Sequence, residues 1–193
     1  MAIDDRAAAA QAGCCCSSAG SRTRQRRAGR RLRRLAVVIR RAEVADHPWI
    51  IAIGAEAYRD LGDYTRILPS WLEQPGVLAW IDHDLQGRGR AFAMLGFYME
   101  GQLPNAEVVA DLLALAVLPA FQRRGIGSKL LTHVIEVAER VAPSSRISAL
   151  RLTVAETNIA AQRLYARAGF RVVDGSASYD RGQRALRMVR PLM

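Results

Sequence analysis

The apolar positions of this 193-residue chain keep changing their period after about residue 36, and each change marks an element. Val37-Val-Ile-Arg-Arg-Ala is a short strand, and Asp46 with Pro48 two residues on starts a helix that runs to about Arg59. A second short helix covers 64–73 and is interrupted by Pro69. Alternating runs over 77–82 and 91–99 form a hairpin around Gln86-Gly-Arg-Gly89. Residues 109–117 are apolar on both alternating faces, as a central strand covered by helices on either side requires, and Asp111 is the single polar residue among them. After Gly125, the residues Ile126, Leu130, Val134, Val137, Ala138 and Val141 fall on one helical stripe, which packs on the sheet. A strand from Leu150, a helix after it, and strands over 171–174 and 184–189 complete the order. The pattern is that of one α/β domain over 36–193, a length sufficient for one well-buried core.

Two strand-to-helix junctions carry the chemistry. In the first, Leu115-Ala-Val-Leu-Pro-Ala-Phe-Gln122-Arg123-Arg124-Gly125-Ile126-Gly127-Ser128, an apolar strand runs into a glycine-containing turn and then a helix. A helix starting near Gly125 offers unpaired backbone N–H groups and the positive end of its dipole to an anion, and the glycines let a ligand approach the main chain. The order Gly127-Ser128-Lys129 excludes a P-loop, which needs Gly-Lys-Ser/Thr. Leu130 stands where a dinucleotide fingerprint needs a third small residue. The second junction is Leu150-Arg-Leu-Thr-Val-Ala-Glu-Thr-Asn158-Ile-Ala-Ala161-Gln-Arg-Leu164-Tyr165-Ala-Arg-Ala-Gly169-Phe170.

With both motifs, in that order and at that separation, the chain resembles the GNAT superfamily of acetyl-CoA-dependent N-acetyltransferases over roughly residues 37–191, most closely over 110–170. The resemblance implies a mixed, mostly antiparallel sheet flanked by helices on both faces. It implies direct transfer of acetyl from coenzyme A to a primary amine through a tetrahedral intermediate, without an acyl-enzyme or a metal. The pantetheine arm would follow Leu115, Ala116 and Val117. The pyrophosphate would sit on the stretch from Gln122 and Arg123 through Arg124, Gly125, Ile126 and Gly127 to Ser128.

Asn158 falls on the position that bonds the pantetheine, and it is equally suited to cap the following helix. Tyr165 falls on the general acid that protonates the departing thiolate, a phenol being near a thiol in acidity; it is also placed to pack on an inner helix face. Gly169 reads as the cap that ends the helix. Asp111 falls where the histone-modifying branch carries a catalytic glutamate, and a carboxylate among apolar neighbours would be a base of raised pKa. The alternative for Asp111 is a solvated strand-end residue or one paired with an arginine. The branch that acetylates ribosomal-protein alanine termini uses a glutamate where this chain has Thr153, and an acidic residue where it has Arg184. Both departures weigh against that specificity, and Glu156 reads as a loop carboxylate. A protein or peptide amine is the preferred acceptor over a small molecule. The alternative from another class is a noncatalytic acyl-CoA-binding module or sensor.

Charge adds one feature outside the domain. Residues 1–34 hold nine arginines against Asp4 and Asp5, a net +7 of the chain's +10, while Lys129 is the only lysine. With almost no large apolar residue before Leu32, segment 1–35 reads as a disordered arginine-rich tail. Nucleic acid is a partner this tail allows without specifying. The preferred account is a general arginine preference of the chain or a start site placed too far upstream; the composition also permits a transit peptide, in which Asp4 and Asp5 sit awkwardly.

The cysteines are the consecutive Cys14, Cys15 and Cys16, unsuited to ordinary disulfides with one another or to a metal site alone. His47, His83 and His133 lack metal-ligand spacing, and there is no Gly-x-Ser-x-Gly elbow. No apolar run reaches the ~18 residues of a membrane span. The expectation is a cytoplasmic enzyme; a homodimer is compatible with it, and nothing in the sequence specifies the oligomeric state.

Overall fold

A computed structural model describes residues 38–102 and 104–192; the arginine-rich tail lies outside the described residues. The described part of the chain is built around one seven-stranded sheet. In chain order its elements are β1 (Val38–Arg41), α1 (His47–Tyr58), α2 (Tyr64–Leu72), β2 (Val77–His83), β3 (Gly89–Glu100), β4 (Glu107–Val117), α3 (Ile126–Ser145), β5 (Ala149–Ala155), α4 (Ile159–Arg167), β6 (Arg171–Ser178) and β7 (Arg184–Pro191). The sheet order is β1-β2-β3-β4-β5-β7-β6, antiparallel throughout except for the parallel pair β4/β5. The mixed, mostly antiparallel α/β sheet expected from the sequence is the one observed.

Two apolar layers sit on opposite faces of this sheet. On one, Ala93, Leu95, Ala110, Leu112, Leu150 and Leu152 meet the predicted stripe of α3 through Ile126, Leu130, Val134 and Ala138. On the other, Ile81, Phe92, Met94, Ala114 and Ala116 meet Ile50 and Leu68 of α1 and α2. Residues 110 and 112 thus share a face with α3, while 114 and 116, of the same parity, face α1 and α2. The cause is a bulge: Leu95 pairs with Leu112 and Met94 with Ala114, leaving Leu113 without a partner. One extra residue inverts the side-chain alternation beyond it and bends the strand. Gly96 makes the room, since a Cβ there would come within 2.9 Å of the Leu113 side chain.

The second irregularity is at the parallel pair. β4 and β5 are in register only at Ala110/Leu150, Asp111/Arg151 and Leu112/Leu152, after which they part. Pro69 differs from expectation, because α2 runs through it to Leu72 and closes with Glu73 N–H donating to the Pro69 carbonyl at 3.2 Å. In a helix of nine residues the N–H that proline lacks falls near the middle, and its loss is covered by the packing of Leu68 beneath. Asp46 likewise directs its carboxylate to Arg40 (2.6 and 2.8 Å) and to the Glu43 N–H (2.8 Å) instead of to the first turn of α1.

Candidate active site

The divergence of β4 from β5 leaves an open backbone edge on β4 from Leu113 to Val117, in the middle of the sheet. Two of its groups are met by side chains from elsewhere. The Leu115 N–H donates to the hydroxyl oxygen of Tyr58, the last residue of α1, at 2.9 Å. The Val117 carbonyl accepts from the Gln122 side-chain amide at 3.0 Å.

Beyond Val117 a single turn over 119–121 leads into the glycine junction. Arg123 and Gly125 both have left-handed backbones, with φ of 57° and 83°. That conformation is costly for arginine and open to glycine. The turn delivers the chain to the first residue of α3 with no side chain capping its N-terminus, so the amides of that first turn are left for another acceptor. Gly127 lies against the edge, where an added Cβ would stand 3.4 Å from Val117. Leu115, Val117, Gln122, Arg123, Gly127 and Ser128 line one groove together with Asn158. Ile126 is buried in the core and does not line this groove. Ala116 points to the α1 layer and shows its edge to an adjoining cavity bordered by Glu56 and Tyr58. The guanidiniums of Arg124 and the buried Arg90 lie 5.7 and 6.0 Å from the two-sided ring of Phe121, which ties the turn to the sheet.

On the far side of the opening, Asn158 caps α4, its side-chain oxygen accepting from the Ala161 N–H at 3.1 Å. Tyr165 is 8% exposed and packs edge-on against Phe170 at 5.9 Å. The contact belongs to the helix end: Phe170 N–H donates to the Tyr165 carbonyl (3.1 Å) and Gly169 N–H to that of Ala166 (3.1 Å), with Gly169 at φ 88°. This is a Schellman closure, and Gly169 is the cap foreseen in the sequence. Burial pushes the Tyr165 phenol up to about 12. Tyr58, Leu115, Asn158 and Tyr165 line one cavity of about 240 Å³.

Asp111 lies where the two strands begin to part. It accepts from Arg151 Nε (2.6 Å) and Nη2 (3.1 Å) and from the Tyr98 hydroxyl. Arg151 also pairs with Glu100, and these partners, Asp111 first, hold its guanidinium above its ordinary basicity against the cost of burial. The cluster lines a cavity of about 320 Å³ with Trp71, Tyr179 and Arg187. Of the sequence candidates, Asp111 is therefore outside the groove at the glycine turn and is ion-paired to Arg151 with its side chain 20% exposed, the arginine pairing left open in the sequence. Tyr58, Tyr98, Arg151 and Tyr179 belong to these cavities without having been singled out from sequence. Tyr58 carried only the signal of an aromatic at a helix end, and the others depend on strand register.

The comparisons agree with this geometry. The sequence model of the acetyltransferase (GNAT) family matches residues 39–170. No curated protein matches the chain in sequence. Among solved structures, a GCN5-related N-acetyltransferase from Kribbella flavida is 26% identical, with TM-score 0.64 over 81% of this chain and 98% of that one. The ribosomal-protein-S18-alanine N-acetyltransferase of Escherichia coli is 24% identical, with TM-score 0.60 over 81% and 94%. YncA of Salmonella typhimurium, a putative acetyltransferase solved with its cofactor acetyl-CoA, is 22% identical, with TM-score 0.64 over 82% and 95%. The matched residues contain the bulged β4, the glycine turn and the capped α4, and on them the conclusion rests that this chain belongs to the acetyltransferase (GNAT) family.

Proposed function

We propose that the protein transfers an acetyl group from acetyl-CoA directly to a primary amine, with a protein or peptide amine ahead of a small molecule as acceptor. The observation that carries this reading is the parting of β4 from β5 just past Leu112, which opens a strand edge between the α3 N-terminus and Tyr165. The edge from Leu115 through Ala116 to Val117 suits the amide-bearing pantetheine arm, whose own groups can pair with it as a short strand would. The amides from Arg123 to Ser128 suit the pyrophosphate, with Gln122 closing the edge and Arg123 and Arg124 adding charge. The Asn158 side-chain NH2, left over from capping, has no hydrogen bond among the described residues and suits the arm from the other side.

Acetyl-CoA would supply the activated acyl group. Tyr165, kept protonated by burial, would give its proton to the sulfur as the C–S bond breaks. A phenol at about 12 is a weaker acid than the ordinary one assumed from sequence. Removal from water in the same cavity also raises the basicity of the thiolate it must protonate, so the two stay matched. Asp111 would take the amine's proton directly or through water. Likeness to the alanine N-acetyltransferase favours a peptide acceptor, while Thr153 and Arg184 depart from that branch.

One observation favours a second reading, a noncatalytic acyl-CoA-binding module or sensor: the Asp111 carboxylate already serves Arg151 and Tyr98. The deciding experiment is acetyl-CoA-dependent thiol release across peptides, polyamines, amino acids and aminoglycosides, with calorimetric acetyl-CoA binding alongside. Turnover with one amine class is the expected result. Binding with silence across every class would transfer support to the module.

A further inference from the structure

Arg187 of β7 is a cation that the roles assigned so far do not use. It stands in register with Thr153 of β5, and the two line the cavity of about 320 Å³ that holds Asp111. Arg187 is exposed and makes no hydrogen bond or ion pair among the described residues. The carboxylates around it are engaged elsewhere. Asp174, opposite it on β6, accepts from the Ser176 N–H and Oγ at 2.8 and 2.7 Å and forms no ion pair with Arg187. Asp111 and Glu100 hold Arg151, the other cation of this cavity, between them. One end of the cavity therefore has two carboxylates sharing one arginine, and the other has an arginine without a counter-charge. Thr153 also lines the cavity of about 240 Å³ that holds Tyr165, as do Tyr64 and Tyr179. Tyr179 donates to the Thr153 carbonyl at 3.1 Å. An amine that reaches from the Asp111 side to the Tyr165 side passes these shared residues, and Arg187 stands beside them.

We propose that Arg187 is a specificity-determining residue that pairs with a carboxylate of the acceptor, so that the preferred acceptor is a primary amine with an acidic group close to it. The inference rests on the acetyltransferase reading above and names the acceptor chemistry for it. A guanidinium meets a carboxylate with two parallel N–H···O bonds, a fit that a hydroxyl or an ammonium does not give. The incoming ammonium faces Asp111 and Glu100 while the carboxylate faces Arg187, so each end of the acceptor meets the opposite charge. An amine without the acid leaves Arg187 unmatched, and a second cation on the acceptor is repelled by it. The acid has two chemical sources, the side chain of an acidic residue at a peptide terminus or the α-carboxylate of a free amino acid. The mouth of the cavity is open at Glu100 and Arg187, both exposed, so a peptide can continue outward from it, and the peptide is the source expected.

The test uses the full chain with acetyl-CoA and follows thiol release from peptides identical except for aspartate, asparagine or lysine at the first or second position. Alanine and alaninamide form the free amino-acid pair. In the wild type the aspartate peptide exceeds its asparagine twin about tenfold in kcat/KM, carried by KM, as a hydrogen-bonded charge pair at an open mouth allows. Added salt shrinks the difference. Arg187→Gln removes the preference while leaving the asparagine peptide within about twofold, the usual range of an exposed substitution. Arg187→Lys retains part of it, and Arg187→Glu inverts it, so that the lysine peptide becomes the better acceptor. Acetyl-CoA affinity is unchanged in all three variants. A preference for alanine over alaninamide, without one among the peptides, supports the same pairing and assigns the carboxylate to a free amino acid. Equal rates within both sets, a preference that survives Arg187→Glu, or a matching loss of acetyl-CoA affinity overturns the proposal while turnover itself upholds the acetyltransferase reading. Silence with every amine overturns both.

Discussion

Tyr165 shows how much a single residue's surroundings add to its type. The sequence placed a tyrosine four residues before a Gly-Phe pair, and the structure converts that spacing into a Schellman closure whose apolar contact is the Tyr165–Phe170 pair itself. Helix cap and candidate acid are thus one local structure. Tyr165→Phe keeps that contact, so acetyl-CoA affinity is expected to stay within about twofold while kcat falls by roughly 10²-fold or more, the usual worth of a positioned acid. The pH profile carries the sign. A general acid acts in its protonated form, and burial holds the Tyr165 phenol in that form up to about 12, so on the proposed role an alkaline fall of kcat centred below pH 10 would belong to another group. Wild type and variant assayed across the pH range decide this, and unchanged turnover would remove Tyr165 from the reaction. Asn158 likewise caps α4 with its side-chain oxygen and lines the groove with no hydrogen bond to its NH2 among the described residues. Asp111 differs: its type and position were legible, its partner was not, because Arg151 lies forty residues away and meets it only through the parallel register of β4 and β5.

At the scale of elements, the β2/β3 hairpin holds a buried ion pair that no periodicity revealed. Asp82 and Arg90 are 0% and 1% exposed and 2.7 Å apart, and burial raises the Asp82 carboxyl against the opposing pull of Arg90. Arg90 also donates to the His83 carbonyl at 2.8 Å and reaches the Phe121 ring that anchors the glycine turn. Arg90→Met should therefore cost about 3–5 kcal/mol at neutral pH, because it strands a charge in the interior. A carboxyl whose folded pKa is raised loses stability as pH rises through that pKa and loses none below the unfolded value near 4, so the deficit should shrink as pH falls toward 4. Asp82→Leu combined with Arg90→Met should recover most of it. Urea titrations at pH 4 and 7 measure all three, and a deficit equal at both pH values would mean that lost packing, not the stranded charge, sets the cost. The elements themselves were largely legible, since their order and the α3 stripe follow from periods of 2 and 3.6. Pro69 was misjudged because a nine-residue amphipathic helix packed on the sheet tolerates one missing donor that an isolated helix would feel.

For the whole molecule, charge and chemistry are separable. Residues 1–34 carry a net +7 and the remainder +3, whereas every residue of the three cavities lies beyond position 56 or within α1. Removing residues 1–34 is thus expected to leave acetyl-CoA affinity and kcat unchanged within about twofold. It should abolish any binding to nucleic acid that weakens steeply with salt. Titrating a labelled oligonucleotide at two salt concentrations against both chains measures this, and binding that survives the deletion would place the interface on the domain. Among the described residues, no helix is long and apolar enough to cross a membrane.

The sequence by itself determined the order of elements, the glycine turn at Gly125 and Gly127, the tyrosine and its cap, and through two spaced motifs the family. These are local matters: backbone freedom, helix ends and apolar period act within a few residues, so they are written where they act. Tertiary structure alone decided where β4 leaves β5, which face the residues beyond Leu113 present, that Arg151 claims Asp111, and that Tyr58 reaches the Leu115 amide from fifty-seven residues away. Each of these turns on one register shift or one strand divergence. Such events are set by the summed packing of two faces of a sheet, and no short stretch of chain holds that sum.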